Sequence, residues 1–311
     1  MAILGWGYQP ERLLAAKVIM LYTIGGSLIL FINIIIIINE GDVLLKLLTT
    51  GTRARIQMLF EVGIFFAFLI KLPLYGFHVW LPMAHVEAPM WGSMVLASII
   101  LKLGGYGIVR VIQLISNKIK WVIILIVVLR LISFILCCTI VDIKIIVAYR
   151  RVGHIRIGLG ALLTMSYFGK QSLIVNILAH GAASSIIFMY VTFLYIKRGS
   201  RRLMYNKGIL ILNPIIIVMW YVVCVINMGG PLTPRLYVEV IQTVSLFNIR
   251  KVLGLILFGV IVLRLLFNII LFNFPAKENI MKGIIKMRQD SNIIMSGYFH
   301  LAITLLVLAI I

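Results

Sequence analysis

Along the chain, apolar runs close to the length of a bilayer crossing alternate with short breaks rich in charges and turn residues. A helix needs about 20 apolar residues to cross the hydrocarbon core. Runs at 15–38, 57–78, 90–112, 121–140, 144–166, 171–195, 252–274 and 290–311 meet or approach that length. The stretch 209–247 is too long for one crossing and holds Asn227, Gly229, Gly230, Pro231 and Pro234 in its middle. It reads as two half-helices joined by unwound backbone, because proline removes a donor and clashes with the preceding turn. The 57–78 run is interrupted in the same way by Pro73 and Gly76. In lipid every backbone polar group needs a partner within the protein, so unwound backbone survives only against protein or a wet cavity. The prediction is an all-α polytopic membrane helix bundle. Its two broken helices point to a transport site more than to proline kinks that merely shape packing.

Composition agrees and removes other classes. Of 311 residues, 62% are hydrophobic and 12% charged, about half the charge of a soluble domain, which carries ~25%. Cys137, Cys138 and Cys224 all lie in apolar stretches, with no CxxC pair and no Cys/His cluster at metal-ligand spacing. There is no GxGxxG after a strand and no phosphate-cradling GxxxxGK[ST]. Nucleotide, flavin and iron–sulfur chemistry therefore belongs on another chain. The net charge of +20 is scattered and not gathered on one soluble face, so nucleic acid is not a partner. The first ten residues carry no targeting signal, which suits synthesis inside the organelle that uses the protein.

Five ionisable residues fall within or beside the spans: Lys71, Lys102, His154, His180 and Glu239. A charge in the bilayer interior is expensive, and intramembrane Lys, Glu and His mark ion paths or proton relays when they face the bundle interior. Each has a plainer alternative. The lysines could snorkel to an interface, the histidines could bond a carbonyl in the core, and Glu239 could cap the half-helix after Pro234. Five on different segments favour a relay. Moving a unit charge against 100 mV costs about 2.3 kcal/mol. One pKa unit is worth about 1.36 kcal/mol, so modest modulation of a buried lysine would suffice.

The run LIKLPLYGFHVWLPMAHVEAP at 69–89 is the most specific in the chain, followed by GSMVLASIILKLGGYGIVR at 92–110. LGWGYQPERL at 4–13, DIKIIVAYRRVGHI at 142–155, ILAHGAASS at 177–185 and LYVEV at 236–240 complete the pattern. In these stretches the chain resembles the subunit 4 family of the membrane arm of NADH:ubiquinone oxidoreductase, respiratory complex I. The resemblance covers essentially the whole chain. It implies antiporter-like inverted repeats with a broken helix in each. Residues 1–118 would be what remains of the first repeat, 119–274 the second repeat, and 275–311 a C-terminal loop and transmembrane helix. By resemblance Lys71 is the lysine of the first broken helix, Lys102 the central lysine, His154 and His180 the connecting histidines, and Glu239 the acid of the second broken helix. His78, Trp80, His85 and Glu87 fall in the loop after the first broken helix. There Trp80 would anchor at the interface, with proton transfer and plain packing both open roles. Asp142 and Lys144 sit at the mouth of the fifth span, as an ion pair or as the place where protons come in.

The implied activity is proton translocation coupled to electron transfer from NADH to ubiquinone. FMN, iron–sulfur clusters and ubiquinone would sit on partner subunits, with none on this chain. The implied partners are the other membrane-arm subunits, especially neighbouring antiporter-like ones, and membrane lipids. The implied location is the mitochondrial inner membrane. A subunit of a multi-subunit cation/proton antiporter, or a non-pumping spacer, are the alternatives. The family's first helices would precede residue 1, and with them the glutamate expected to pair with Lys71, so the first repeat is expected to be incomplete. Arginine stands where the family has serine in AYRRVGHIRIG at 148–158 and in GSRRL at 199–203. Arg130 and Arg264 also fall inside apolar runs. Invertebrate mitochondria read two arginine codons as serine, which would account for such positions.

Overall fold

The computed structural model describes residues 3, 10–39, 54–74, 77–112, 120–208, 214–231, 233–248, 251–276 and 291–310. The apolar runs emerge as helices: α1 (Pro10–Asn39), α2 (Ala54–Lys71), α3 (Trp80–Glu87), α4 (Met90–Val95), α5 (Leu101–Val111), α6 (Lys120–Thr139), α7 (Ile143–Leu162), α8 (Tyr167–Arg198), α9 (Pro214–Met228), α10 (Pro234–Phe247), α11 (Lys251–Ala276) and α12 (Ser291–Ile310). A π-helical turn at Leu96–Ile100 joins α4 to α5 as one crossing. Among the described residues four helical segments, 10–35, 90–111, 167–198 and 256–276, are long and apolar enough to cross a membrane.

Local chemistry fixes the ends. Ser166 caps α8, its Oγ accepting from the Gly169 N–H at 3.0 Å. At the other end Gly199 takes φ +71°, and its N–H reaches the Tyr195 carbonyl, a left-handed stop that glycine adopts without steric penalty. Pro234 opens α10 at a position where its missing N–H costs nothing.

α7 and α8 form the centre of the bundle. α7 packs on α6, α8 and α3, while α8 also meets α4, α10 and α12. One buried apolar cluster runs from Ile64 and Trp80 through α6 and α7 to Leu257. A second gathers Phe188, Trp220 and Phe267. The periphery is the reverse. Leu21, Leu28, Phe31 and Ile32 on α1, Phe258 and Leu266 on α11, and Met295, Phe299 and Leu305 on α12 are exposed. Apolar faces on this scale are covered by lipid or by other protein.

Both predicted breaks are present. α2 stops at Lys71 and a turn follows at Leu72 and Pro73, whereas Tyr75 and Gly76 lie outside the described residues. α9 ends at Met228, and Gly229 turns the chain at φ +74° before Pro234 begins α10. One expectation is corrected here. The segment after the first break is not a loop: residues 80–87 form α3, which carries His85 and Glu87 into the bundle. Nor does Trp80 anchor at an interface. It is 3% exposed, and its indole N–H donates to the Ile70 carbonyl at 3.3 Å.

Candidate functional site

The centre of the site is built on the π-helical turn. That turn lies directly before Lys102, and such turns cluster at functional sites because they re-aim one side chain without ending the helix. Lys102 Nζ donates to the Ala97 carbonyl at 2.7 Å and lies 3.5 Å from His180 Nδ1 on α8. Gly181 packs beside this lysine, where a Cβ would meet Lys102 Cε at an ordinary contact distance of 3.5 Å. The His180 and His154 rings are 5.9 Å apart in edge-to-face geometry, and His154 Nε2 has no hydrogen-bond partner. Both histidines are buried. A cavity of about 10 Å³ opens between them, lined by Arg150, Arg151, His154, His180, Ser184 and Asn227 among others. That is about the volume one water needs, and the polar lining supplies the partners such a water requires.

The cavity leads to the second break. Asn227 Oδ1 accepts from Arg235 at 2.6 Å, and its backbone carbonyl accepts from Arg150 at 3.2 Å. Asn227 Nδ2 points to Asn268 Oδ1 at 3.5 Å. Glu239 lies one turn beyond Arg235, with 3.7 Å between them, and is ion-paired to Arg264. Arg264 also donates to the Met228 carbonyl at the end of α9. Side-chain contacts therefore run from Lys102 through His180 to His154, and the small cavity joins these to Asn227, which Arg235 links to Glu239.

Lys71 stands apart from this string. It is half-buried, and its ammonium lies 6.0 Å from the Phe68 ring centroid. Among the described residues no carboxylate is ion-paired to it. Its stem nonetheless packs against α5, where a Cβ at Gly104 would fall 3.1 Å from Lys71 Cβ.

The accessory candidates divide in the same manner. His85 is fully buried, stacked on Phe188 with centroids 4.4 Å apart, and 2.8 Å from an Arg151 nitrogen. His78 is buried with its ring edge-on to Tyr149. Glu87 pairs with Arg12 at 3.5 Å and Arg201 at 3.0 Å, tying α3 to α1 and to the segment after α8. Of the two readings for Asp142 and Lys144, ion pair or proton entry, the ion pair is not found among the described residues. Lys144 donates to the Val86 carbonyl at 3.2 Å and lies over the Tyr195 ring, while Asp142 bridges to Arg202 and lines an open cleft of about 530 Å³.

Asn227, Ser184 and Asn268 were not singled out as site residues. Their signal was a polar amide or hydroxyl inside an apolar run, which is too common to separate from ordinary helix packing. The arginines give a clearer signal. Arg130, Arg150, Arg151, Arg156, Arg235 and Arg264 are all between 1% and 5% exposed. Nε and Nη1 of both Arg130 and Arg150, and Nε and Nη2 of Arg151, have no hydrogen-bond partner. A buried ion costs several kcal/mol after relaxation.

Residues 1–266 match the family described as NADH:quinone oxidoreductase/Mrp antiporter, TM. The chain is 40% identical over 243 residues to NADH-ubiquinone oxidoreductase chain 4 of Aedes aegypti, covering 76% of this chain and 54% of that one. It is 37% identical over 251 residues to the protein of the same name from Albinaria caerulea, covering 79% and 57%. The chain thus spans about half the length of the curated relatives it matches. Among solved structures, respiratory complex I from Thermus thermophilus with bound NADH contains a chain of the same fold, with a TM-score of 0.81 at 18% identity over 95% of this chain and 65% of that one. The Mrp complex from Dietzia sp. gives 0.75 at 16% identity over 96% and 65%. With the helical bundle, the two breaks and the matched span together, the chain belongs to the NADH:quinone oxidoreductase/Mrp antiporter transmembrane family.

Proposed function

We propose that this chain is a proton-translocating membrane-arm subunit of NADH:ubiquinone oxidoreductase in the mitochondrial inner membrane. Lys102, His180, His154 and Glu239 carry the proton, and Lys71, apart from this string, is the relay candidate at the first break. One observation carries the reading: Lys102 Nζ lies 3.5 Å from His180 Nδ1, deep in an apolar bundle. A lysine ammonium there can hand its proton to an imidazole, whose two nitrogens receive on one side and release on the other. His154 lies next in line, across a space that one water would fill. Hydrogen-bond reach, directly or through one water, is what proton transfer demands.

The name shared by the 40% identical relatives favours the oxidoreductase over a stand-alone antiporter. FMN, iron–sulfur clusters and ubiquinone belong to partner subunits in this reading, with neighbouring antiporter-like subunits and lipid around the bundle. Its two repeats are residues 1–118 and 119–274, each holding one break, and 275–311 closes the chain with α12 against α8. The antiporter reading rests on the shared fold of the Mrp chain. Copurification separates the two, because an antiporter brings neither flavin nor iron–sulfur polypeptides.

The test is Lys102→Ala in the assembled complex. Assembly should persist while quinone reduction coupled to pumping falls roughly tenfold, about 1.4 kcal/mol on the barrier. Lys102→Arg, which keeps a charge but gives up its proton less readily, should not restore it. Unchanged turnover and proton stoichiometry would mean the chain is a spacer.

A further inference from the structure

α8 and α10 pack against each other, and each carries a polar row inside the bundle. On α8 the row is Ser172, Asn176, His180 and Ser184, all buried, and their spacing of four places them on one face of the helix. On α10 it is Glu239, Gln242 and Ser245, the last two buried, and residues three apart are again neighbours on a helix surface. His180 and Glu239 belong to the relay. Ser172, Asn176, Gln242 and Ser245 have no place in it so far.

Gln242 is the member that calls for an explanation. It is 1% exposed, and neither end of its amide has a hydrogen-bond partner, whereas buried polar groups almost always find one in protein or water. Its neighbour is another amide. Asn176 Nδ2 donates to the His154 carbonyl at 3.4 Å. Glycine at 158 lets the two side chains converge, since a Cβ there would fall 2.8 Å from Asn176 Nδ2 and 3.4 Å from Gln242 Nε2. Turning the Gln242 amide over would bring its oxygen toward Asn176 and leave its NH2 without an acceptor, so either orientation leaves one end to a water.

We propose that this polar seam between α8 and α10 carries protons between Glu239 and the membrane face at the α7–α8 turn, with Gln242 and Asn176 holding the water of its first step. The seam extends the relay proposed above and presupposes it. Glu239 lies one turn from Gln242 on the same helix face. A water held beside Gln242 takes a proton from the Glu239 carboxyl on one side and gives up another on the far side, which is transfer through one water. Both amides keep their own protons throughout, so they position the water and are not carriers. Ser172 and Ser245 continue the row. Each donates to a carbonyl of its own helix, Gly169 at 2.8 Å and Gln242 at 2.9 Å, which leaves the lone pairs of the hydroxyl oxygen for the next water. At the far end the turn presents the hydroxyls of Thr164 and Ser166, 2.7 Å apart and partly exposed. α10 reaches the same end, since a Cβ at Gly160 would lie 4.0 Å from Leu246 in its last turn.

Gln242→Leu and Gln242→Ser in the assembled complex, reconstituted in vesicles beside Lys102→Ala, test the seam. Leucine fills the position with an apolar group, while serine is small and polar and leaves room for water. Gln242→Leu should lower pumping-coupled quinone reduction roughly fivefold, about 1 kcal/mol on the barrier, and Gln242→Ser should recover most of that loss. Asn176→Leu should share the leucine defect, and it carries the same test if Gln242→Leu does not assemble. Equal losses with leucine and serine would make Gln242 a packing residue and overturn the proposal, as would unchanged pumping with leucine. Lys102→Ala keeps the two levels apart. A defect there beside normal Gln242→Leu removes the seam and leaves the relay, whereas normal pumping in Lys102→Ala removes the relay itself.

Discussion

The two helix breaks solve the same backbone problem and differ in what surrounds the charge beside them. At the first, the last carbonyls of α2 are met by the Trp80 indole and by the Leu72 N–H, and the Pro73 carbonyl accepts from Arg156. Lys71 lies alongside with an aromatic ring as neighbour and no ion-paired carboxylate among the described residues. At the second, the carbonyls of Asn227 and Met228 accept from Arg150 and Arg264, and Glu239 lies within the polar string that reaches Lys102. The lesson concerns unwound backbone in a membrane. Freed carbonyls must be met in either case, but among the described residues it is the second break that is joined to the Lys102–His180–His154 string.

This contrast ranks the two charges. Glu239→Gln keeps size and hydrogen bonding but cannot carry a proton, and it should lower pumping-coupled quinone reduction roughly tenfold, about 1.4 kcal/mol. Lys71→Met should cost less than about threefold, under ~0.7 kcal/mol, because Lys71 has no ion pair to lose among the described residues. Proton-to-electron ratios in reconstituted vesicles, measured side by side, check the order. Equal losses would show that the first break is wired through groups contributed by other polypeptides.

The backbone of the second break offers a smaller effect. Gly229 sits at φ +74°, and a Cβ added there would lie 3.2 Å from Arg264 Nη2 and 3.4 Å from Glu239 Oε2. Gly229→Ala should lower stability by about 1–2 kcal/mol, read as the thermal inactivation midpoint of the solubilised complex.

Much of this was legible in the sequence because membrane solvent makes errors costly. Apolar runs of crossing length became helices with bounds shifted by a few residues, and the pairs Pro73/Gly76 and Gly229/Pro234 marked both breaks. Lys102, His154 and His180 could be singled out because a titratable group in an apolar run stands out against its background, and the structure brings these three together. What could not be read was which way each group turns. The π-helical turn before Lys102 has no residue signature in LASII. Whether residues 80–87 coil or form a helix depends on the partners of His85 and Glu87, which come from α1, α7 and the segment after α8. Asp142 and Lys144 are close in sequence, but the partner Lys144 takes is the Val86 carbonyl on α3, which their spacing does not announce.

The smallest expected effect tests the first break alone. α2 ends at Lys71, so its last carbonyls lack intrahelical donors, as at any helix end. Ile70 finds its donor ten residues on, in the Trp80 indole, and this bond holds the start of α3 against the end of α2. Trp80→Phe keeps an aromatic ring in the site but strands the Ile70 carbonyl away from water. Loss of one neutral hydrogen bond with its acceptor left unsatisfied costs about 1–3 kcal/mol, and the 3.3 Å length puts this bond at the weak end, near 1 kcal/mol. If the bond fastens the break, amide exchange at Leu72 should quicken in the variant while exchange around Gly229 and Gly230 stays as it was. Faster exchange at both places would mean that the two breaks move as one unit, and the independence argued from their separate partners would be lost.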